Sequence, residues 1–442
     1  MSLLKKLTLA ASIAGLVACG ADDDSDAYVR ILHASPDAPA VDVYVNGELQ
    51  LSDVAYQDGT GYMKVSDGHA NIELRVAGTD TVAASLAESL SSDTYYAAVA
   101  VNEIASLDIA IIEETDTVTD DDVDVRVLHA APGASSVNVD VYVTDVDAEL
   151  GASASVDALS YLNDQVLNDV TEGNYQVRLT ADGSTDVIYD SGSVNVAEDA
   201  LIVAVNSEKG RSPVSLLVWA GPSATTVLDN TSELRIVHAL DSQDVDIYTN
   251  AELYLEDVSY KDETGYLVVP AGSLPVSVTA ANVALSDDTT LASSALNLER
   301  GESYTVVASG NSDDTDNARL IFVTDQRVAE DAELGYVRLI HASTDTNAAN
   351  AQVLIYTGAY EDIENPSAEE DFTFQGFSQG DDTDYIERAP ETYEIDMTAT
   401  GTTTPDLVTG LDATVVAAGD LHTIVVVGKS GPEAIKLTDQ RQ

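Results

Sequence analysis

Apolar and polar residues alternate with period two over most of the chain. In Ile72-Glu73-Leu74-Arg75-Val76 every second side chain is apolar, the pattern of a strand with one buried and one wet face. No stretch carries a convincing 3.6-residue period. Over the first hundred residues after the leader, the pattern predicts strands at 28–34, 40–46, 54–65, 70–77, 81–90, 94–101 and 106–112. Gly, Asp, Asn and Pro separate them. Seven short strands in about 100 residues predict an all-β, immunoglobulin-like antiparallel β-sandwich. A small β-barrel is the alternative, because strand number does not fix closure.

The pattern then repeats. Tyr28-Val29-Arg30-Ile31-Leu32-His33 recurs as Asp124-Val125-Arg126-Val127-Leu128-His129. It returns as Glu233-Leu234-Arg235-Ile236-Val237-His238 and as Tyr336-Val337-Arg338-Leu339-Ile340-His341. A second alternation follows each time: Val41-Asp42-Val43-Tyr44, Val139-Asp140-Val141-Tyr142, Val245-Asp246-Ile247-Tyr248 and Val353-Leu354-Ile355-Tyr356. Asp93-Thr94-Tyr95 aligns with Glu302-Ser303-Tyr304 and Asp420-Leu421-His422, which places Tyr95 and Tyr304 at tyrosine corners. Thr324-Asp325-Gln326-Arg327 comes back as Thr438-Asp439-Gln440-Arg441. Four β-sandwich units are therefore expected at 28–115, 123–220, 233–326 and 336–442. Polar stretches join them into a semi-rigid string of beads, with the strands of successive beads tens of ångströms apart.

The run from Val29 through His33-Ala34-Ser35-Pro36 to Val41-Asp42-Val43-Tyr44-Val45-Asn46-Gly47 resembles the opening motif of a domain-of-unknown-function family, DUF4397. That family occurs in bacterial secreted proteins and lipoproteins, often in tandem copies. The resemblance extends over nearly the whole chain beyond the leader. Unit three lacks the Ser-Pro turn, and unit four carries Leu354 where the motif has Asp. The family implies no activity and no catalytic residues.

The leader sets the compartment. Lys5 and Lys6 precede an apolar stretch from Leu7 to Val17, the layout of a signal peptide over residues 1–19. Leu16-Val17-Ala18-Cys19-Gly20 resembles the lipobox of bacterial lipoproteins, which implies lipidation of Cys19, the single cysteine of the chain. Gly20 in place of Asp resembles the rule for export to the outer membrane, facing the periplasm or the exterior. Residues 20–27 then read as a short acidic tether. One cysteine leaves no disulfide, so each unit depends on its own core.

Charge narrows the partners. The chain has 442 residues, 19 Lys and Arg against 77 Asp and Glu, and a formal charge of −58. Nucleic acid is excluded, because its binding needs a basic footprint. An acidity spread over all four units is expected of a protein facing a saline exterior, where salt screens the mutual repulsion.

Candidate chemistry is sparse. His33, His129, His238 and His341 share strand faces with apolar residues and read as core histidines bonded to backbone carbonyls. Arg30, Arg126, Arg235 and Arg338 point to the opposite face. Arg30 is expected to pair with Asp42, Arg126 with Asp140 and Arg235 with Asp246. The acidic runs Asp120-Asp121-Asp122-Val123-Asp124, Asp313-Asp314-Thr315-Asp316 and Asp381-Asp382-Thr383-Asp384 are weak candidates for Ca²⁺, without the EF-hand register. No cofactor is otherwise expected. Neither G-x-S-x-G nor H-E-x-x-H occurs, which argues against an enzyme. The sequence therefore points to a lipid-anchored, non-enzymatic envelope protein acting as a binding or structural module. Its expected partners are the bilayer, through Cys19, and an envelope or extracellular protein or glycan. A calcium- or carbohydrate-dependent adhesion module is the alternative.

Overall fold

The computed structural model describes residues 26–114, 123–167, 170–241, 243–311, 314–345, 348–357, 372–399 and 414–441. Cys19, the leader and most of the acidic tether lie outside them. The first unit has eight strands: β1 (Asp26–His33), β2 (Val41–Val45), β3 (Glu48–Val54), β4 (Met63–Ser66), β5 (Gly68–Val76), β6 (Val82–Leu90), β7 (Tyr95–Val101) and β8 (Asp108–Glu113). One sheet runs β4-β1-β7-β8 and the other β3-β2-β5-β6. Neighbours are antiparallel except β1 and β7, which run parallel with Arg30 opposite Ala97. The same two sheets recur in each later unit, and unit two adds a fifth strand, Ala224–Val227, to one of them. Each unit is a β-sandwich. Among the described residues no sheet closes on itself, which removes the barrel alternative.

The strand expected at 54–65 does not form. Residues 55–62 are a loop, with β3 before it and β4 after it. β3 is an edge strand with most residues exposed, so no buried face imposes alternation on its sequence. Its hairpin is set by Asn46 and Gly47, whose φ of 51° and 82° fit a type I′ turn.

The second motif's aspartate has a backbone role. Asp42 Oδ1 accepts the amide of Asp53 at 2.9 Å and Oδ2 that of Gly78 at 3.0 Å. Asp140 does the same for Ala158 and Gly183, and Asp246 for Asp257 and Asn282. All six amides belong to residues with positive φ. One carboxylate thus ties a bulge and a turn that the backbone would otherwise disfavour. In unit four the matching register position is Gln352, not Leu354. Ala351 pairs with Phe377 as Val41 pairs with Val54, each just after a positive-φ residue, Gly376 and Asp53 respectively.

Packing overturns the string of beads. Along β1, Val29 and Ile31 enter the core of their own sandwich, while Leu32 faces outward. That outer face does not meet water. Leu32, Val99, Val101 and Ile112 of unit one pack against Leu128, Leu201, Val203, Leu217 and Trp219 of unit two. Units three and four repeat the arrangement, with Val237, Val307 and Ile321 against Ile340, Val425 and Leu437. The chain is thus two face-to-face pairs of sandwiches. Arg441 links the pairs, its guanidinium donating to the carbonyls of Gly210 (2.6 Å), Ser207 (3.0 Å) and Lys209 (2.5 Å). Gly210 and Gly301 meet there so closely that a Cβ on Gly210 would lie 2.2 Å from the Gly301 carbonyl oxygen.

Candidate functional site

The arginines of the first motif lie on the outer face of the parallel strands, so each pair of units brings two of them to its junction. In the second pair the two arginines exchange partners. Arg235 of unit three donates to Asp439 Oδ1 of unit four at 2.6 Å, and Arg338 of unit four donates to Asp325 of unit three. Both aspartates come from the repeated Thr-Asp-Gln-Arg ends of their units, and both side chains are fully buried. Thr305 and Thr423 accept further bonds from Arg235 and Arg338. The rings of Tyr266 and Tyr385 lie 4.6 and 4.5 Å from the two guanidinium carbons. Burial alone would raise the Asp325 carboxyl, but the guanidiniums of Arg338 and Arg235 hold it below the usual carboxylate range.

The first pair is built on the same plan with the parts missing. Strand register places Glu114 and Gly221 where the second pair has Asp325 and Asp439. Val166 stands opposite Arg126 where Tyr266 stands opposite Arg235. With no carboxylate at Gly221, Glu114 turns to Arg30 of its own unit and accepts from Nε at 2.8 Å. Arg30 also donates to the carbonyl of Trp219 at 3.0 Å and stacks on its ring at 4.0 Å. Among the described residues Arg126 has no carboxylate from the facing unit, and it pairs with Asp164 of its own.

The result is a cleft of about 380 Å³ between units one and two, within the range of small-ligand sites. Its charged lining is Arg30 and Arg126 together with Glu114, Asp124, Glu198 and Asp199. Tyr62 and Tyr95 form one wall, each 41% exposed. Their rings meet at 79° with centroids 4.9 Å apart. Burial, with Glu114 beside it, pushes the Tyr62 hydroxyl well above its ordinary value, so it stays protonated and donates to Glu114 at 2.8 Å.

The other singled-out residues go elsewhere. The expected pairs Arg30–Asp42, Arg126–Asp140 and Arg235–Asp246 do not form, because those aspartates point to the turns of the opposite sheet. His33 Nε2 lies 3.2 Å from the Pro39 carbonyl and its Nδ1 accepts from the Ser35 amide. His238 repeats this with Gln243 and Leu240, and His341 Nε2 reaches the Ala348 carbonyl at 2.9 Å. His129 keeps the contact of Nδ1 with the amide two residues on. The tyrosine corner is displaced by one residue in unit one. Tyr96 accepts from the Ser91 amide, as Tyr304 does from Glu299, while Tyr95 faces the cleft.

Among the described residues the acidic runs do not gather into a shared group. Asp120, Asp122 and Asp313 lie outside the described residues, and Asp314 and Asp316 fall in a strand, Asp314–Asp325. Asp381 accepts from the Ser378 amide and Asp382 from the Asp384 amide, each closing its own turn. Among the described residues the one group of three mutually close carboxylates is Asp140, Asp157 and Asp182, which surrounds a backbone clamp.

The sequence model of a family described as a domain of unknown function, DUF4397, matches residues 27–142 and 232–352, just over half of the chain. The chain belongs to the DUF4397 family. Each match starts at the first strand of a pair and ends inside its second unit, so two DUF4397 matches fall on two pairs. No curated protein matches the chain. Among solved structures, the chain is similar to a multi-modular glycogen-degrading pneumococcal virulence factor, SpuA, at 8% identity and TM-score 0.15, covering 86% of this chain and 37% of that one. A Streptococcal ancillary pilin aligns at 10% identity and TM-score 0.15 over 65% of this chain and 98% of the pilin.

Proposed function

We propose that this DUF4397 protein is a lipid-anchored, non-enzymatic component of the outer envelope that binds a ligand at its first junction and uses its second as rigid support. The carrying observation is the difference between the two junctions. Arg235, Arg338, Asp325 and Asp439 close one of them with buried, mutually satisfied charges, whereas the same strand positions leave an open, charged cleft in the other. Anchoring through acylated Cys19 rests on the lipobox and the leader. It leaves the sandwiches outside the cytoplasm, where a chain carrying 77 Asp and Glu against 19 Lys and Arg suits a saline medium and repels nucleic acid. The recurring histidines and the carboxylates of the second motif are engaged in holding turns, which favours binding over catalysis. A Cys19→Ala variant should move from the membrane to the soluble fraction on cell fractionation. An unchanged membrane association would remove the anchor from the proposal.

A further inference from the structure

The first junction's cleft has a specific chemical demand. Its lining sets four carboxylates against two guanidiniums, so a simple anion is repelled. Arg30 is neutralised within its own unit by Glu114 and capped by the Trp219 ring. Arg126 is likewise paired within its own unit, with Asp164, but its side chain is 26% exposed against 3% for Arg30, and its counterpart Arg338 is closed by a carboxylate from the facing unit. The cleft therefore places a guanidinium where the fold elsewhere supplies a carboxylate from across the junction. A carboxylate-bearing ligand supplies the same group.

The opposite wall asks for the opposite charge. Tyr62 and Tyr95 stand nearly at right angles. Arg30 covers one face of Tyr62 at 5.0 Å, and Tyr28 stacks under Tyr95 at 4.7 Å. Each tyrosine still exposes 41% of its surface. Two partly exposed rings meeting nearly at right angles, beside the carboxylates of Glu198 and Asp199, offer an organic cation aromatic surface and counter-charge. From these two walls we infer that the cleft binds a small zwitterion, its carboxylate on Arg126 and its ammonium in the Tyr62–Tyr95 corner. This inference rests on the reading of the first junction as the receptive one and gives that site its ligand class.

Trp219 makes the test direct, because it is the single tryptophan of the chain and lies, fully buried, under Arg30 of the cleft lining. The purified full chain would be titrated by calorimetry and Trp219 fluorescence with four probes. Glycine betaine carries both charges, choline the cation alone, acetate the carboxylate alone, and methyl glucoside neither. Saturable binding of betaine, at least tenfold tighter than choline or acetate, is expected. Arg126→Ala and Tyr95→Ala should each weaken it at least tenfold, about 1.4 kcal/mol, with the melting temperature unchanged. Both side chains are exposed enough for the fold to survive their loss. Choline binding as tightly as betaine would overturn the role of Arg126 and with it the zwitterion. Binding of methyl glucoside without betaine would overturn the ligand class and leave the junction a binding site. Silence from all four probes would overturn both.

Discussion

One arginine, repeated four times, shows how strongly a residue's role depends on what faces it. Arg30, Arg126, Arg235 and Arg338 occupy the same strand position, yet among the described residues only Arg235 and Arg338 receive a carboxylate from the neighbouring unit. Those two are desolvated, and their stability depends on complete pairing. Removing one partner leaves a buried charge without compensation, which costs about 3–5 kcal/mol. Asp439→Ala should therefore lower the stability of the second pair by that amount in denaturant unfolding of the full chain. A loss below about 1 kcal/mol, the range of exposed ion pairs, would show that Arg235 is rescued by Thr305 and Asp325. The same substitution logic predicts little from Asp164→Ala, whose pair with Arg126 is a quarter exposed on both sides.

At the scale of elements, two polar devices stitch strands to loops, the aspartate clamp in units one to three and the histidine in all four. The aspartate clamp holds a bulge and a turn, and the histidine ties the end of the first strand to the loop that follows. Burial lowers the pKa of His33, His129, His238 and His341 below the ordinary value of 6.5. The unfolded chain therefore binds protons first as pH falls. The stability from the neutral, hydrogen-bonded imidazoles is complete above about pH 6.5 and is lost as pH drops below that toward the lowered folded values. The melting temperature should fall from pH 7.5 to pH 5, and His238→Gln should flatten that slope by removing one of the four groups. A melting temperature constant across that range would contradict the neutral, buried state of these side chains. Legibility at this scale was mixed. β2, β5 and β6 followed from alternation, because each has one face in a core, and β1 and β7 from apolar runs that serve the core on one face and the junction on the other. β3 and β4 did not, since each buries a single residue and so shows no alternation. The tyrosine corner slipped by one residue because Tyr95 and Tyr96 are adjacent, and only the sheet register decides which ring turns inward.

At the scale of the molecule, the decisive feature is the face-to-face pairing of units. Its seal in the first pair is Trp219, fully buried, whose Nε1 donates to the Thr60 carbonyl of unit one at 2.9 Å. Gly59 allows that approach. A Cβ there would lie 2.8 Å from Ala224 Cβ and 2.9 Å from Trp219 Nε1. Gly59→Ala should destabilise the first junction by about 1–3 kcal/mol through overpacking. The red shift of Trp219 emission should then appear at lower denaturant than in the unmodified chain. An unmoved fluorescence transition would mean that the junction opens independently of this contact. A sign of the pairing was already present in the sequence. Tyr95–Val101 (YYAAVAV) and Leu421–Val427 (LHTIVVV) are nearly continuous apolar runs, the mark of strands buried on both faces.

The sequence by itself determined the all-β class, the four-fold repeat, the family and the inward face of most strands. All of these depend on short-range periodicity, which each unit carries within its own residues. Tertiary structure alone decided which outer face covers which, and hence that Arg30 faces Trp219, 189 residues away. The cleft follows from the same cause. Gly221 and Val166 are unremarked small residues in a linear reading, and they become a site only because the facing unit brings Arg30, Tyr62 and Tyr95 against them. Charge pairing across a junction has no period in the sequence, since its partners are fixed by the packing of one sheet on another.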